Sequence, residues 1–257
     1  MSSPNLPGMP SRPQLTPGPL VLGSASSNDP DAVTALQSFL EESGGRSRWS
    51  TIHNATIRQR FGYQANGRTV DHLYMDDWST PKSIYRRSVV GAHHQPADHD
   101  GRNGYVVKTQ YGNRAIPEFD QAHLLAGNLP AAAASVILTS GNYIVKTANG
   151  KKCSGPAICI DVYLRRENVY VRQEEWVISS QSHLASTIDL ILPSLFGGAP
   201  PIEQFSFSSY EPRQGVTVPV SGTVTAPWGR AIPFQLVRLD INRGFDKAKF
   251  DAEATQQ

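Results

Sequence analysis

The stretch Ile158-Cys159-Ile160-Asp161-Val162-Tyr163-Leu164-Arg165, followed by a turn at Asn168 and then Val169–Ile178, decides the fold. Ile158, Ile160, Val162 and Leu164 make one apolar face, while Asp161, Tyr163 and Arg165 lie opposite. Successive side chains of a strand point to opposite faces, so a period of two marks a strand with one face in a core. Val169–Ile178 repeats the extended pattern and carries Trp176. Two such runs joined by a short polar turn pair antiparallel.

Outward from this pair the same reading recurs. Leu184, Ile188, Leu190 and Leu192 line one face of the next strand, and a Pro/Gly loop covers 193–204. Phe205-Ser206-Phe207 and Val216-Thr217-Val218 follow as short strands. The last strand is Phe234–Ile241, with Val237, Leu239 and Ile241 expected inward. Toward the N-terminus, from Trp49 onward, Ile57, Phe61 and Tyr63 oppose Arg58 and Arg60. Asn66-Gly67 is the strongest short hairpin signal, because both positions tolerate positive φ. Strands follow at Leu73–Trp78, Ile84–Val90 and Tyr105–Val107, with a polar loop from His93 to Asn103, so a meander of three hairpins is expected.

Two segments read as helical. Asp29 is the expected N-cap, Pro30 the first helical residue, and Gly44-Gly45 the stop, with Val33, Leu36, Phe39 and Leu40 on one face. Between Pro117 and Ser140, an alanine run opened by Pro130 and punctuation by Gly127 and Gly141 predict two short helices. Residues 1–28 are a Pro/Ser/Gly-rich leader, expected to be extended and disordered or loosely draped. Residues 29–251 read as a single domain, and 252–257 as a C-terminal tail.

Hydrophobic residues make up 39% of the 257 and charged residues 18%, which suits a β core with polar faces. A net charge of +2 leaves no nucleic-acid footprint. No apolar run reaches the ~18 residues of a membrane helix. The opening Met1-Ser2-Ser3-Pro4 lacks the basic and apolar regions of a signal peptide. Two expectations stand: a cytoplasmic protein, or an extracytoplasmic one given in mature form. The cysteines bear on this. Cys153 and Cys159, the only two, flank a Gly-Pro turn and are read as a structural disulfide, with free thiols as the alternative; a bridge favours an oxidising compartment.

Chemistry-bearing patterns are sparse. His93, His94, Asp98, His99 and Asp100 form the densest set of metal-ligand types, and His93, His94 and His99 support a metal-dependent or pocket-based enzyme as an alternative function. No helical frame organises them, and a solvated hairpin loop is the competing reading. Asp76 and Asp77 are adjacent on a strand and face opposite ways. No nucleophile elbow, phosphate-cradling loop or dinucleotide fingerprint occurs, so no catalytic residue and no cofactor is assigned.

The aromatic residues allow two readings. They fill an ordinary core, or they line an apolar cavity in a curved sheet, closed by the helices at 30–43 and 118–139. The candidate lining is Ile57, Phe61, Trp78, Tyr85, Trp176 and Leu190.

The early helix resembles the outer-membrane lipoprotein-sorting (LolA-like) superfamily. So do the strand run ending in Trp78-Ser-Thr-Pro-Lys-Ser-Ile-Tyr-Arg86, the Glu175-Trp176 strand and the ending Leu236-Val-Arg-Leu-Asp-Ile-Asn242-Arg-Gly244-Phe245 followed by Phe250. The likeness covers roughly residues 30–251. It implies a mostly β (α+β) fold in which an antiparallel curved sheet forms an incomplete barrel with short helices on its concave side. It further implies a non-enzymatic periplasmic or secreted carrier of a lipid, a lipoprotein acyl chain or another apolar ligand, with a lipoprotein or envelope protein as partner. A structural or protein-interaction module without ligand is the third reading. The leader and the Cys153/Cys159 segment have no counterpart in that pattern, and the same fold hosts an enzyme elsewhere, so fold does not dictate function.

Overall fold

A computed structural model describes residues 13–65, 68–79, 84–90, 105–109, 112–116, 121–150, 153, 155–192, 199–227 and 229–243, with side chains outside 63–121 and Leu124. In chain order the elements are β1 (Val21–Gly23), α1 (Pro30–Glu42), α2 (Arg46–Ser50), β2 (Asn54–Ala65), β3 (Arg68–Ser79), β4 (Ile84–Val90), β5 (Tyr105–Thr109) and β6 (Gly112–Ile116). Then come α3 (Gln121–Ala126), α4 (Pro130–Thr139), β7 (Tyr143–Ala148), β8 (Ala157–Arg166), β9 (Val169–Ser179), β10 (Ala185–Ile191), β11 (Ile202–Arg213), β12 (Val216–Thr225) and β13 (Ala231–Ile241).

Strands β7 to β13 form one long antiparallel meander, each paired with the next. Strand β13 then pairs with β2, and β3 and β4 extend the sheet on that side. The resulting order is β4-β3-β2-β13-β12-β11-β10-β9-β8-β7, and the end strands β4 and β7 do not pair with each other. The sheet is therefore open, mostly β with short helices, as expected. Asn242 ties the seam between the chain's two halves: its Oδ1 accepts from His53 N at 2.9 Å and its Nδ2 donates to Thr51 O at 2.8 Å.

Strands β2 and β3 pair antiparallel as expected, in register up to Ala65 opposite Arg68, while Asn66 and Gly67 themselves lie outside the described residues. The expected third hairpin does not form. Strand β5 pairs with β6 in a separate two-stranded sheet. The connection 91–104 is far longer than the roughly 2–5 residues that hold a hairpin in register. The period-two pattern also begins later than Trp49, which lies in α2 and donates its indole N–H to Ser43 O at 3.0 Å.

Helix α1 buries Leu36, Phe39 and Leu40 of the face read from the sequence, together with Ala32 and Ala35, while Val33 is only half-buried against the core. It stops at Gly44 and Gly45, both at positive φ, and Gly45 N–H closes onto Leu40 O. Asp29 occupies the N-cap position, yet its carboxylate does not cap the helix. It instead accepts from Lys146 Nζ at 2.9 Å and Thr147 N at 3.0 Å, covering the edge of β7. Lys146 holds the Asp29 carboxyl below its ordinary range.

The main core lies between one sheet face and the helices, joining Phe39, Leu125, Leu129 and the Ala131–Ala134 run to Ile160, Val162, Trp176 and Ile188. Phe39 meets Trp176 edge-on at 5.6 Å between ring centres. Such pairs add about 0.5–1.5 kcal/mol beyond area burial. The turn between α3 and α4 approaches so closely that a Cβ on Gly127 would sit 2.4 Å from the Phe205 ring. Only glycine fits there.

An aromatic track and a buried polar pair on the inner face

Side-chain alternation and register place Ile57, Gln59 and Phe61 of β2 on the helix side of the sheet, opposite Leu239, Leu236 and Phe234. Phe234 in turn pairs with Gly222, and Gly222 with Phe207. A Cβ at Gly222 would fall 2.7 Å from the Phe234 ring and 2.2 Å from Ser206 O, so its absence lets the rings close over the strand. The Phe61 and Phe234 rings lie 6.0 Å apart, Phe234 and Phe207 6.3 Å, and Phe207 and Tyr210 5.7 Å. Among the described residues, four aromatic side chains thus run as one track across β2, β13 and β11.

Phe61, Phe207 and Tyr210 are only partly buried. Tyr210 donates its hydroxyl to Ala185 O at 2.9 Å, and burial raises its pKa, so the phenol stays protonated. Gln59 shares the face, is 1% exposed, and among the described residues its Oε1 accepts no hydrogen bond. A buried acceptor left without a donor costs about 1–3 kcal/mol. It is the kind of fixed polar group that orients a bound molecule in an apolar site.

Of the candidate lining residues, Ile57, Trp176 and Leu190 are buried within the main core, and Phe61 packs against it. Trp78 and Tyr85 are register partners across β3 and β4, with Trp78 also opposite Ala55; their side chains lie outside the described residues. His93, His94 and His99 also lie outside the described residues. Among the described residues, no three His, Cys, Asp or Glu side chains converge on a metal-sized site. Cys153 and Cys159 are joined in a disulfide, with Cα atoms 5.4 Å apart.

Several site residues escaped the sequence reading. Val237, expected inward, is 50% exposed, because the register slips between Leu236 and Arg238 and Val237 is the extra residue. Tyr210 was hidden by two further register shifts, between Phe207 and Ser209 and between Ser209 and Tyr210. His123, one of several scattered histidines in the sequence, is fully enclosed with Nδ1 3.8 Å from Glu174 Oε1. Glu174 Oε2 accepts the Trp176 indole N–H at 2.6 Å. Burial, with the Arg166 charge adding, pushes His123 down to about 3, so it is neutral at pH 7.

Comparison with solved structures bears on the fold. A putative outer membrane lipoprotein-sorting protein domain from Vibrio parahaemolyticus superposes with TM-score 0.53 at 9% identity, covering 87% of this chain and 97% of that one. A DUF1329 family protein from Desulfovibrio piger superposes with TM-score 0.52 at 12% identity, covering 88% and 99%. This is a LolA-like fold. A LolA superfamily protein from Nitrosomonas europaea aligns at TM-score 0.49 and 10% identity, over 84% of this chain and 96% of that one. No protein-family model matches the sequence, and no curated protein does. The LolA-like resemblance read from short motifs is therefore borne out at the level of fold. Among the described residues no helix is long and apolar enough to cross a membrane.

Proposed function

We propose that this protein is a non-enzymatic extracytoplasmic binding protein that holds a lipid, a lipoprotein acyl chain or a similar apolar ligand on the inner face of its open sheet. The observation that carries this reading is the track Phe61–Phe234–Phe207–Tyr210, buried at Phe234 and partly buried at the other three rings, beside Gln59, whose Oε1 has no donor among the described residues. Rings in series offer a long apolar surface with few polar fixings, which suits an alkyl chain. A ligand bearing an N–H or O–H near its head would satisfy Gln59 Oε1.

Two further observations support the setting. The fold matches a structure whose name is that of a lipoprotein-sorting protein domain, so a lipoprotein or another envelope component is the proposed partner. The Cys153–Cys159 disulfide fits an oxidising compartment, the periplasm or the exterior. Mass spectrometry of organic extracts from natively purified protein tests the reading. Stoichiometric lipid, or strong fluorescence of an apolar dye that added fatty acid displaces, is expected. Protein that carries no lipid and leaves such a dye dark would sink it.

A further inference from the structure

On the opposite face of the sheet, β8 and β9 carry a buried charged cluster. Arg172 Nη2 donates to Asp161 Oδ1 at 2.5 Å and to Glu175 Oε2 at 2.8 Å, and all three side chains are buried. Tyr163 stands beside them. Ionised groups on the outer face of an open sheet would ordinarily meet water; here the cover is the chain's own leader.

The leader's fixings are specific. Thr16 is 5% exposed; its N–H and hydroxyl both donate to Glu175 Oε2, at 2.6 and 2.7 Å. Arg172 donates in return to Thr16 O at 3.1 Å and Thr16 Oγ1 at 2.9 Å. Gly18 passes so close that a Cβ there would lie 3.3 Å from both Arg172 Nη1 and Asp161 Oδ2. The Tyr163 hydroxyl donates to Pro19 O at 2.9 Å, and Arg172 N–H donates to Leu20 O at 2.8 Å. Strand β10 pairs with β9 only as far as Glu174, which leaves an open edge at Val169–Val171, and Val21–Gly23 fill it as β1. Leu22 sits against Ile144, Tyr163 and Tyr170. The leader thus follows the β-addition mode of peptide recognition, in which main-chain bonds hold and side-chain sites select.

Little of this segment belongs to the core. Leu20 and Val21 are 43% and 52% exposed, and Pro17, Gly18 and Pro19 are exposed as well. Apart from Leu22 in its small outer-face pocket and the β1–β9 pairing, its fixings are polar and converge on the Asp161–Arg172–Glu175 cluster, away from the main core.

We propose that the outer face of β8 and β9 is a peptide-binding site, occupied in this chain by its own residues 16–23. Its ligand class is an extended peptide with threonine at the Glu175–Arg172 pair, glycine over the guanidinium, and a leucine entering the Ile144–Tyr163–Tyr170 pocket. This site is independent of the inner-face reading.

The test uses the full-length chain. A Thr16→Val/Gly18→Val variant removes the hydroxyl and crowds the guanidinium while leaving every core residue in place. Hydrogen exchange should speed up at least tenfold across residues 16–23, with β8–β10 protection kept. A fluorescein-labelled peptide of residues 13–24 should bind this variant at least tenfold more tightly than the wild type, whose own leader competes. The same peptide with Thr16→Val should not bind. The proposal is overturned by unchanged exchange in 16–23, by protection lost throughout β8–β10, by absent peptide binding to a released variant, or by equal binding of both peptides.

Discussion

The Trp176 indole N–H donates to Glu174 Oε2 at 2.6 Å inside the apolar core, two residues apart on the same strand and face. A carboxylate there has little to commend it in hydrophobic terms, and its cost is offset by the bond it accepts. Glu174→Gln keeps an acceptor for the indole, whereas Glu174→Ala removes it. The alanine variant should lose about 2–3 kcal/mol and the glutamine variant clearly less, read by urea unfolding.

His123 stands next to that carboxylate and is held neutral by burial. Its folded pKa of about 3 lies below the ordinary 6.5, so the unfolded chain binds the extra proton between those values. Its contribution is present above about pH 6.5 and is lost as pH falls through that window. Denaturation midpoints should therefore drop on acidification, and a His123→Asn variant should show a shallower drop. Identical pH slopes in the two proteins would contradict this.

Asp161 has the opposite sign. Burial, with Glu175's charge adding, raises it to about 6 against the pull of Arg172. The folded state then holds a proton that the unfolded state releases above about 3.8, so this group's contribution declines as pH rises from 4 to 6. Asp161→Asn should remove that slope, making the variant relatively more stable against the wild type at pH 7 than at pH 4.5. Stability curves at both pH values decide it.

Gly127 seats the α3–α4 turn on Phe205. Gly127→Ala should cost about 1–3 kcal/mol through overpacking, and Phe205→Leu in the same chain should recover part of it. Thermal unfolding of the single and double variants measures the coupling. Simple additivity would place the clash elsewhere.

The Cys153–Cys159 bridge closes a short loop at the mouth of the β7–β8 hairpin, with Cys159 buried against Ala148 and Val177. Replacing both cysteines by serine should cost about 2 kcal/mol. The fold should survive, since the main core does not pass through the bridge. Circular dichroism and denaturant titration of the variant check both parts.

The aromatic track yields a last expectation. Phe207→Ala should weaken apolar-dye binding about tenfold or more while lowering stability less than Trp176→Ala, because Phe207 is partly buried and Trp176 wholly so. Equal loss of binding in both would make the track an ordinary core.

Local pattern carried the reading a long way. The alternation at Ile158–Leu164, the Ile84–Val90 strand and the Pro30 and Pro130 helix starts are encoded in side-chain period and backbone dihedral preference, and each appears in the structure, as does the pairing of the strands either side of Asn66-Gly67. These depend on neighbours within a few residues. Where a bulge adds a residue, as at Val237 and between Phe207 and Tyr210, the period breaks and facing cannot be read forward.

The remaining features rest on contacts between distant parts of the chain. Asp29 looks like a helix cap, and its carboxylate goes to β7 because that edge lies within reach. Thr16 looks like part of a loose leader, and it is buried because Arg172 and Glu175 need partners on the outer face. Alternation along the chain was enough to announce strands and an apolar face. Which strands became neighbours, where the sheet stayed open and which polar groups met were settled by folding, because those energies arise between segments that the sequence holds far apart.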